Sequence, residues 1–132
     1  MRHIDLRSGT LANRVHAGDA LERLRRDESG PGLVLDFDDN LATMSWLDGY
    51  LTPIVEDSAI GTVVVLCSSE DTTEHIAATL RRRGLDVLAA ISRDQLYAGR
   101  FQLLGDVTEE QREAFDVVNS VPPLSLAALA AA

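Results

Sequence analysis

Apolar residues in this chain fall into short runs separated by longer segments of mixed polarity. The runs at residues 33–35 and 62–67 are continuous and bounded by turn residues, which is typical of strands buried on both faces of a sheet. A further strand is expected at residues 85–91, where Asp86 interrupts the apolar residues. The run at residues 62–67 is also rich in β-branched side chains, so we predict that it is a central strand. An edge strand is expected at residues 3–6, and residues 101–104 fit either a further strand or a packed loop.

The intervening segments have the spacing and capping residues of helices. The first helix is expected after Thr10, the second after Ser45 as its N-cap, and the third after Ser69. Four apolar residues fall near one face of the first helix: Leu11, Val15, Leu21 and Leu24. The arginines at residues 81–83 lie in the last turn of the third helix, where the helix dipole favours them. This alternation predicts a single α/β domain with a parallel or mixed sheet flanked by helices.

The last third of the chain contains weaker helix signals. Ser92 can open a short helix, and Thr108 with Gln111 has the spacing of a capping box. Beyond this point the pattern predicts a helical C-terminal appendage at residues 107–132, packed on the domain formed by residues 1–106.

Composition narrows the function classes. The 132 residues contain 21 acidic and 12 basic residues, giving a formal charge of -9, so nucleic acid and anionic membrane surfaces are disfavoured partners. All the basic residues are arginines, and Cys67 is the single cysteine, so an internal disulfide is impossible and a reducing cytoplasm is the expected compartment. The three histidines share no metal-ligand spacing, and we predict neither a metal nor a cofactor.

Acidic residues follow the strand at residues 33–35. Asp36, Asp38 and Asp39 lie where open α/β sheets usually place their working residues, although such a turn is also the ordinary solvated end of a strand. In the helix that follows, Trp46 and Tyr50 fit either the core or an exposed apolar binding patch.

Three motifs between residues 10 and 88 resemble the STAS-like branch of the sulphate-transporter and anti-sigma-factor-antagonist domains. They are LDF at residues 35–37, SWLD at residues 45–48 and VVVLCSSE at residues 63–70. The resemblance implies a non-enzymatic regulatory module that binds another protein, such as a kinase-type ATPase, with a homodimer as a further option. It implies Ser45 as a candidate phosphoacceptor, although Trp46 follows it where the switching antagonists have a small residue. The partner surface expected on this basis comprises Asp36, Asp38, Asp39, Trp46, Asp48 and Tyr50.

Ser45 therefore has two candidate roles. As an N-cap its loss would cost about 1 kcal/mol. As a phosphoacceptor it would add a phosphate close to Asp36, Asp38, Asp39 and Asp48, and no lysine is present to relieve that repulsion.

The alternative function is enzymatic. LVLDFDDNL at residues 33–41 also resembles the first motif of the Mg²⁺-dependent haloacid dehalogenase phosphotransferases. That resemblance implies Asp36 as the nucleophile, Asp38 as the general acid, Ser68 on the phosphate and Asp106 on the metal. The family's lysine is missing, which favours the regulatory interpretation.

Overall fold

The computed structural model describes residues 2–26, 32–108, 110–111 and 113–114. Within these residues the chain alternates between five strands and four helices. The strands are β1 (Arg2–Asp5), β2 (Leu33–Asp38), β3 (Val63–Cys67), β4 (Asp86–Ala90) and β5 (Gln102–Gly105). The helices are α1 (Arg14–Arg26), α2 (Met44–Glu56), α3 (Glu70–Arg82) and α4 (Arg93–Tyr97). Most of the predicted C-terminal appendage lies outside the described residues.

The strands form one mixed sheet in the order β1-β2-β3-β4-β5. The first four are parallel and β5 is antiparallel to β4. The prediction of an α/β fold is confirmed, as are the central position of β3 and the edge position of β1. Each parallel connection steps to the next strand in the same direction, so connections of one handedness place α1, α2 and α3 on the same face.

Side chains of the parallel strands alternate between two faces of the sheet. Leu35, Phe37 and Val65 belong to the larger core cluster, which also contains the inner residues of α1, α2 and α3. Val34 and Leu66 belong to a smaller cluster on the opposite face. Partly buried side chains from α4 and from the segment before β5 pack against that smaller cluster.

Two of the predicted helix starts need correction. The N-cap of α2 is Thr43, whose side-chain oxygen accepts a hydrogen bond from the backbone N–H of Trp46 at 3.2 Å. Ser45 lies two residues further on, inside the first turn of α2. Thr43 is the cap because its backbone N–H and its hydroxyl donate to the carbonyl oxygens of Leu11 and Ala12, each at 2.9 Å. Helix α1 begins at Arg14, after Asn13 accepts from the N–H of His16 at 2.9 Å.

Two residues near the start of α1 also differ from the prediction. Leu11 lies outside α1, where it forms a parallel bridge with Ala42 and is buried. Val15 is 73% exposed, and Ala17 lies in the core beside Leu21 and Leu24 in the place predicted for Val15.

The other caps follow the sequence. Ser69 and Ser92 cap α3 and α4 as predicted. Thr108 and Gln111 exchange the two hydrogen bonds of a capping box, at 3.0 and 3.1 Å. Among the described residues no helix combines the length and the apolar character needed to cross a membrane.

Candidate functional site

Asp36 is completely buried in the sheet, on the face opposite to α2. Its Oδ2 accepts hydrogen bonds from His3 Nε2 at 3.0 Å and from Arg93 Nη2 at 2.9 Å, while Arg7 Nε lies at 3.8 Å. Its Oδ1 is buried without a hydrogen-bond partner among the described residues. Asp36 therefore ties β1 and α4 to β2, and its predicted place on a partner surface is wrong.

Arg7, the second arginine near Asp36, is already neutralised by another carboxylate. Arg7 donates from Nε and Nη2 to the two carboxylate oxygens of Asp5, at 3.0 and 3.1 Å. These side-chain hydrogen bonds, followed by one from the Arg7 backbone, lower the pKa of Asp5 to about 2. The positive charge around Asp36 is thus largely balanced, so this cluster has little capacity to bind a further anion.

The loop that joins β2 to α2 is held rigidly. Asp38 adopts a positive φ of 52°, and its carbonyl oxygen accepts from the N–H of Ser68 at 2.7 Å. From α3, the Thr72 hydroxyl donates a hydrogen bond to the carbonyl oxygen of Asn40 at 2.9 Å. His75 Nδ1 donates to the carbonyl oxygen of Ala42 at 2.8 Å. Hydrogen bonds from two directions therefore fix the backbone of residues 38–43.

On this fixed backbone, Asp38, Asp39 and Leu41 point to solvent, and Leu41 is 61% exposed. The aromatic residues predicted beside them are elsewhere: Trp46 and Tyr50 are each 1% exposed and stack in the core with ring centroids 4.6 Å apart. Burial raises the pKa of Tyr50 to about 12. Sequence reasoning did not single out Leu41, although a leucine directly after the polar turn at residues 38–40 was an available signal.

Ser45 is exposed in the first turn of α2 and lines a cleft next to Asp48. The Asp48 carboxylate accepts from Arg83 Nε and Nη2 at 3.2 and 3.0 Å and from Arg14 Nη2 at 2.6 Å. The hydrogen bond from Arg83 is the largest cause that lowers the pKa of Asp48, and that from Arg14 adds to it against the effect of burial. The predicted crowding of Ser45 by uncompensated carboxylates is therefore wrong for Asp48, which is paired, and for Asp36, which faces the other side of the sheet.

The residues proposed for phosphotransfer do not converge. Ser68 lies beside Asp38, as the amide hydrogen bond between them requires. Asp106, however, follows Gly105, which pairs with Asp86 at the start of β4. Because β5 is antiparallel, Asp106 lies at the amino edge of the parallel strands, whereas Asp38 ends β2 at their carboxyl edge.

The sheet also lacks one feature of many ligand sites. Doubly wound sheets bind ligands where the strand order reverses, and the order of the four parallel strands described here never reverses. Within the described ranges, no group of three or more histidine, cysteine, aspartate or glutamate side chains is placed to hold a metal ion.

Cys67, at the end of β3, is buried, and burial raises the pKa of its thiol. It fills core space as a small apolar side chain.

Comparisons of the chain with protein-family models, with curated proteins and with solved structures found no match.

Proposed function

We propose that this chain is a small regulatory domain that acts by binding another protein, with the β2–α2 loop as its contact surface and Ser45 as its control point. The observation that supports this most is the combination of a fixed backbone and exposed side chains at Asp38, Asp39 and Leu41. A loop that is already ordered loses little entropy on binding, so its contacts contribute more fully to affinity.

The chemistry of the loop indicates the kind of partner. Two carboxylates beside an exposed leucine fit a surface with basic residues around an apolar pocket. A second copy of this chain is a poorer match, since each copy has a formal charge of -9. A kinase-type ATPase is the partner expected from the STAS-like resemblance of residues 10–88.

Ser45 is a suitable control point because it is exposed and lies in the first turn of α2, close in sequence to the contact loop. Its substitution or modification does not remove the cap, which Thr43 provides. A change at Ser45 can therefore alter the charge of the surface without unfolding the helix.

The decisive experiment uses the chain as bait in a lysate of the source organism, followed by purification of each captured protein and measurement of its Kd. Leu41→Ser should weaken binding about tenfold, as expected for a buried apolar anchor. Val15→Ser, which changes another highly exposed apolar residue on α1, should leave the Kd unchanged. Asp38→Gly removes a carboxylate while accepting the positive φ, and it should also weaken binding.

The switch is tested with Ser45→Asp against Ser58→Asp, which adds the same charge at another exposed serine. We expect the partner to lose affinity for the first variant only. Equal binding of wild type, Leu41→Ser and Ser45→Asp would overturn the proposal.

The phosphotransferase alternative is not favoured by this geometry. An aspartate nucleophile needs a free carboxylate oxygen at the reacting atom. In Asp36 one oxygen is held by His3 and Arg93 and the other is buried, and Asp106 lies at the opposite edge of the sheet.

A further inference from the structure

A cleft of about 400 Å³ opens between the start of α1, the first two turns of α2 and the end of α3. It is the cleft that contains Ser45. Its polar lining consists of Arg14, Ser45, Asp48, Thr79, Arg82 and Arg83.

The charges in this cleft do not cancel. Three guanidinium groups face a single carboxylate, which leaves a surplus of two positive charges. Asp48 holds Arg14 and Arg83 at 2.6 and 3.0 Å, so both arginines are already oriented toward one point. The side chain of Arg82 has no hydrogen-bond or ion-pair partner within the described part of the chain. A guanidinium has five N–H donors, so the paired arginines also keep donors for a further ligand.

Thr79 supplies an independent sign of a ligand. The residue is 3% exposed, lines the cleft, and its hydroxyl has no hydrogen-bond partner among the described residues. Buried hydroxyls are normally paired, and a small movement of this side chain toward the charged cleft would let a ligand there accept its hydrogen bond. Met44 and Ser45, in the first turn of α2, also line the cleft, and the positive end of a helix dipole favours an anion there.

We propose that this cleft binds a phosphate group. A phosphate monoester carries about 1.5 to 2 negative charges at neutral pH, which matches the positive surplus. Arg82 and Arg83 would donate to its oxygens, and Thr79 would donate from its hydroxyl. Asp48 keeps Arg14 and Arg83 oriented toward the cleft.

Two sources of phosphate fit this chemistry. One is a free phosphate or small phosphate monoester, and the other is phosphorylated Ser45 of the same chain. The second source depends on the proposed function of Ser45, whereas the first does not.

The free source is tested by titrating the unmodified protein with inorganic phosphate at low ionic strength, using calorimetry and amide chemical shifts. Arg82→Gln should weaken binding about tenfold, the loss expected for one charge-assisted contact. The matched control is Arg81→Gln, which removes the neighbouring exposed arginine that does not line the cleft and should change the Kd less than about twofold. Thr79→Val should also weaken binding, while Asp48→Asn should strengthen it by removing the competing carboxylate.

The second source is tested with protein that carries phosphoserine at position 45. If its phosphate occupies the cleft, the ³¹P resonance will shift, Arg82→Gln will reverse the shift, and added inorganic phosphate will no longer bind. Arg82→Gln removes no side-chain hydrogen bond or ion pair among the described residues, so a folded variant is expected and circular dichroism will verify it.

Three results would overturn the proposal. The first is that neither wild type nor Asp48→Asn binds inorganic phosphate and that the ³¹P resonance of phosphoserine 45 is the same with and without Arg82→Gln. The second is an equal loss of phosphate affinity in Arg81→Gln and Arg82→Gln. The third is a phosphate affinity that Arg82→Gln does not change. None of these would alter the dependence of partner binding on Leu41, so the phosphate site and the proposed function can fail separately.

Discussion

Replacing Asp36 by asparagine tests whether this residue is a structural ion-pair partner or a reactive group. The substitution keeps the shape of the side chain and removes its charge. It weakens the bonds from His3 Nε2 and Arg93 Nη2, which lie 3.0 and 2.9 Å from Oδ2. It also replaces the unpartnered Oδ1 with an amide or carbonyl that has no better partner.

The expected loss of stability follows from how deeply Asp36 and its partners are buried. Breaking a fully buried ion pair typically costs about 3 to 5 kcal/mol. Here Asp36 is fully buried, but the side chains of His3 and Arg93 are 46% and 48% exposed, so solvent screens part of the interaction. We therefore expect Asp36→Asn to lower the free energy of unfolding by about 2 kcal/mol, and the coupling with Arg93→Gln to be about 1 kcal/mol.

Urea unfolding of wild type, Asp36→Asn, Arg93→Gln and the double variant at neutral pH measures both quantities. A stability unchanged within about 0.5 kcal/mol in Asp36→Asn, with no coupling to Arg93, would refute the structural role. Loss of a measurable phosphatase turnover in that stable variant would favour the nucleophile instead.

The remaining predictions concern caps, backbone and pH. Thr43→Ala should cost about 1 kcal/mol by removing the α2 cap, whereas Ser45→Ala should stay within about 0.5 kcal/mol; equal losses in thermal unfolding would contradict this assignment. Gly105→Ala should prevent folding or cost more than about 3 kcal/mol, since its Cβ would clash with the backbone oxygen of Leu85 at a φ of 120°. Gly99→Ala, with a φ of 70° and open space around it, should lose only the backbone penalty of about 1 kcal/mol, and similar losses in urea unfolding would exclude the clash. Because the pKa of Asp48 is lowered from 3.8 in the folded protein, its carboxylate stabilises the fold above that value. Asp48→Asn should therefore lower the free energy of unfolding by a constant amount near neutral pH, and this difference from wild type should vanish as the pH falls through the lowered pKa. A difference that grows in acid would disprove the ion-pair origin.

Sequence patterns predicted the elements whose signals are local. The continuous β-branched run at β3 leaves few alternatives to a central strand, and Ser69 and Ser92 each precede an amphipathic or acidic first turn that fits a cap. The Thr108 and Gln111 pair is likewise a contact within one helical turn. Such features depend on neighbours in sequence and need no knowledge of tertiary packing.

The errors arose where a distant segment decides the outcome. Thr43 and Ser45 are both good cap residues, and the choice between them is made by bonds from Thr43 to residues about 31 positions earlier. Leu11 has the right spacing for the face of α1, but its bridge to Ala42 takes it out of the helix. The antiparallel direction of β5, which separates Asp106 from Asp38, also could not be predicted from the sequence alone.

The same long-range contacts change the argument about Ser45. Along the sequence it stands among aspartates, and repulsion is the natural expectation for a phosphate there. In three dimensions Asp48 is paired with two arginines that lie 34 and 35 residues away, and Arg82 adds a third guanidinium to the same cleft. The local balance is therefore positive although the whole chain is strongly acidic. A phosphate at this position would be stabilised by the cleft, and its negative charge next to the β2–α2 loop would change the surface that a partner meets.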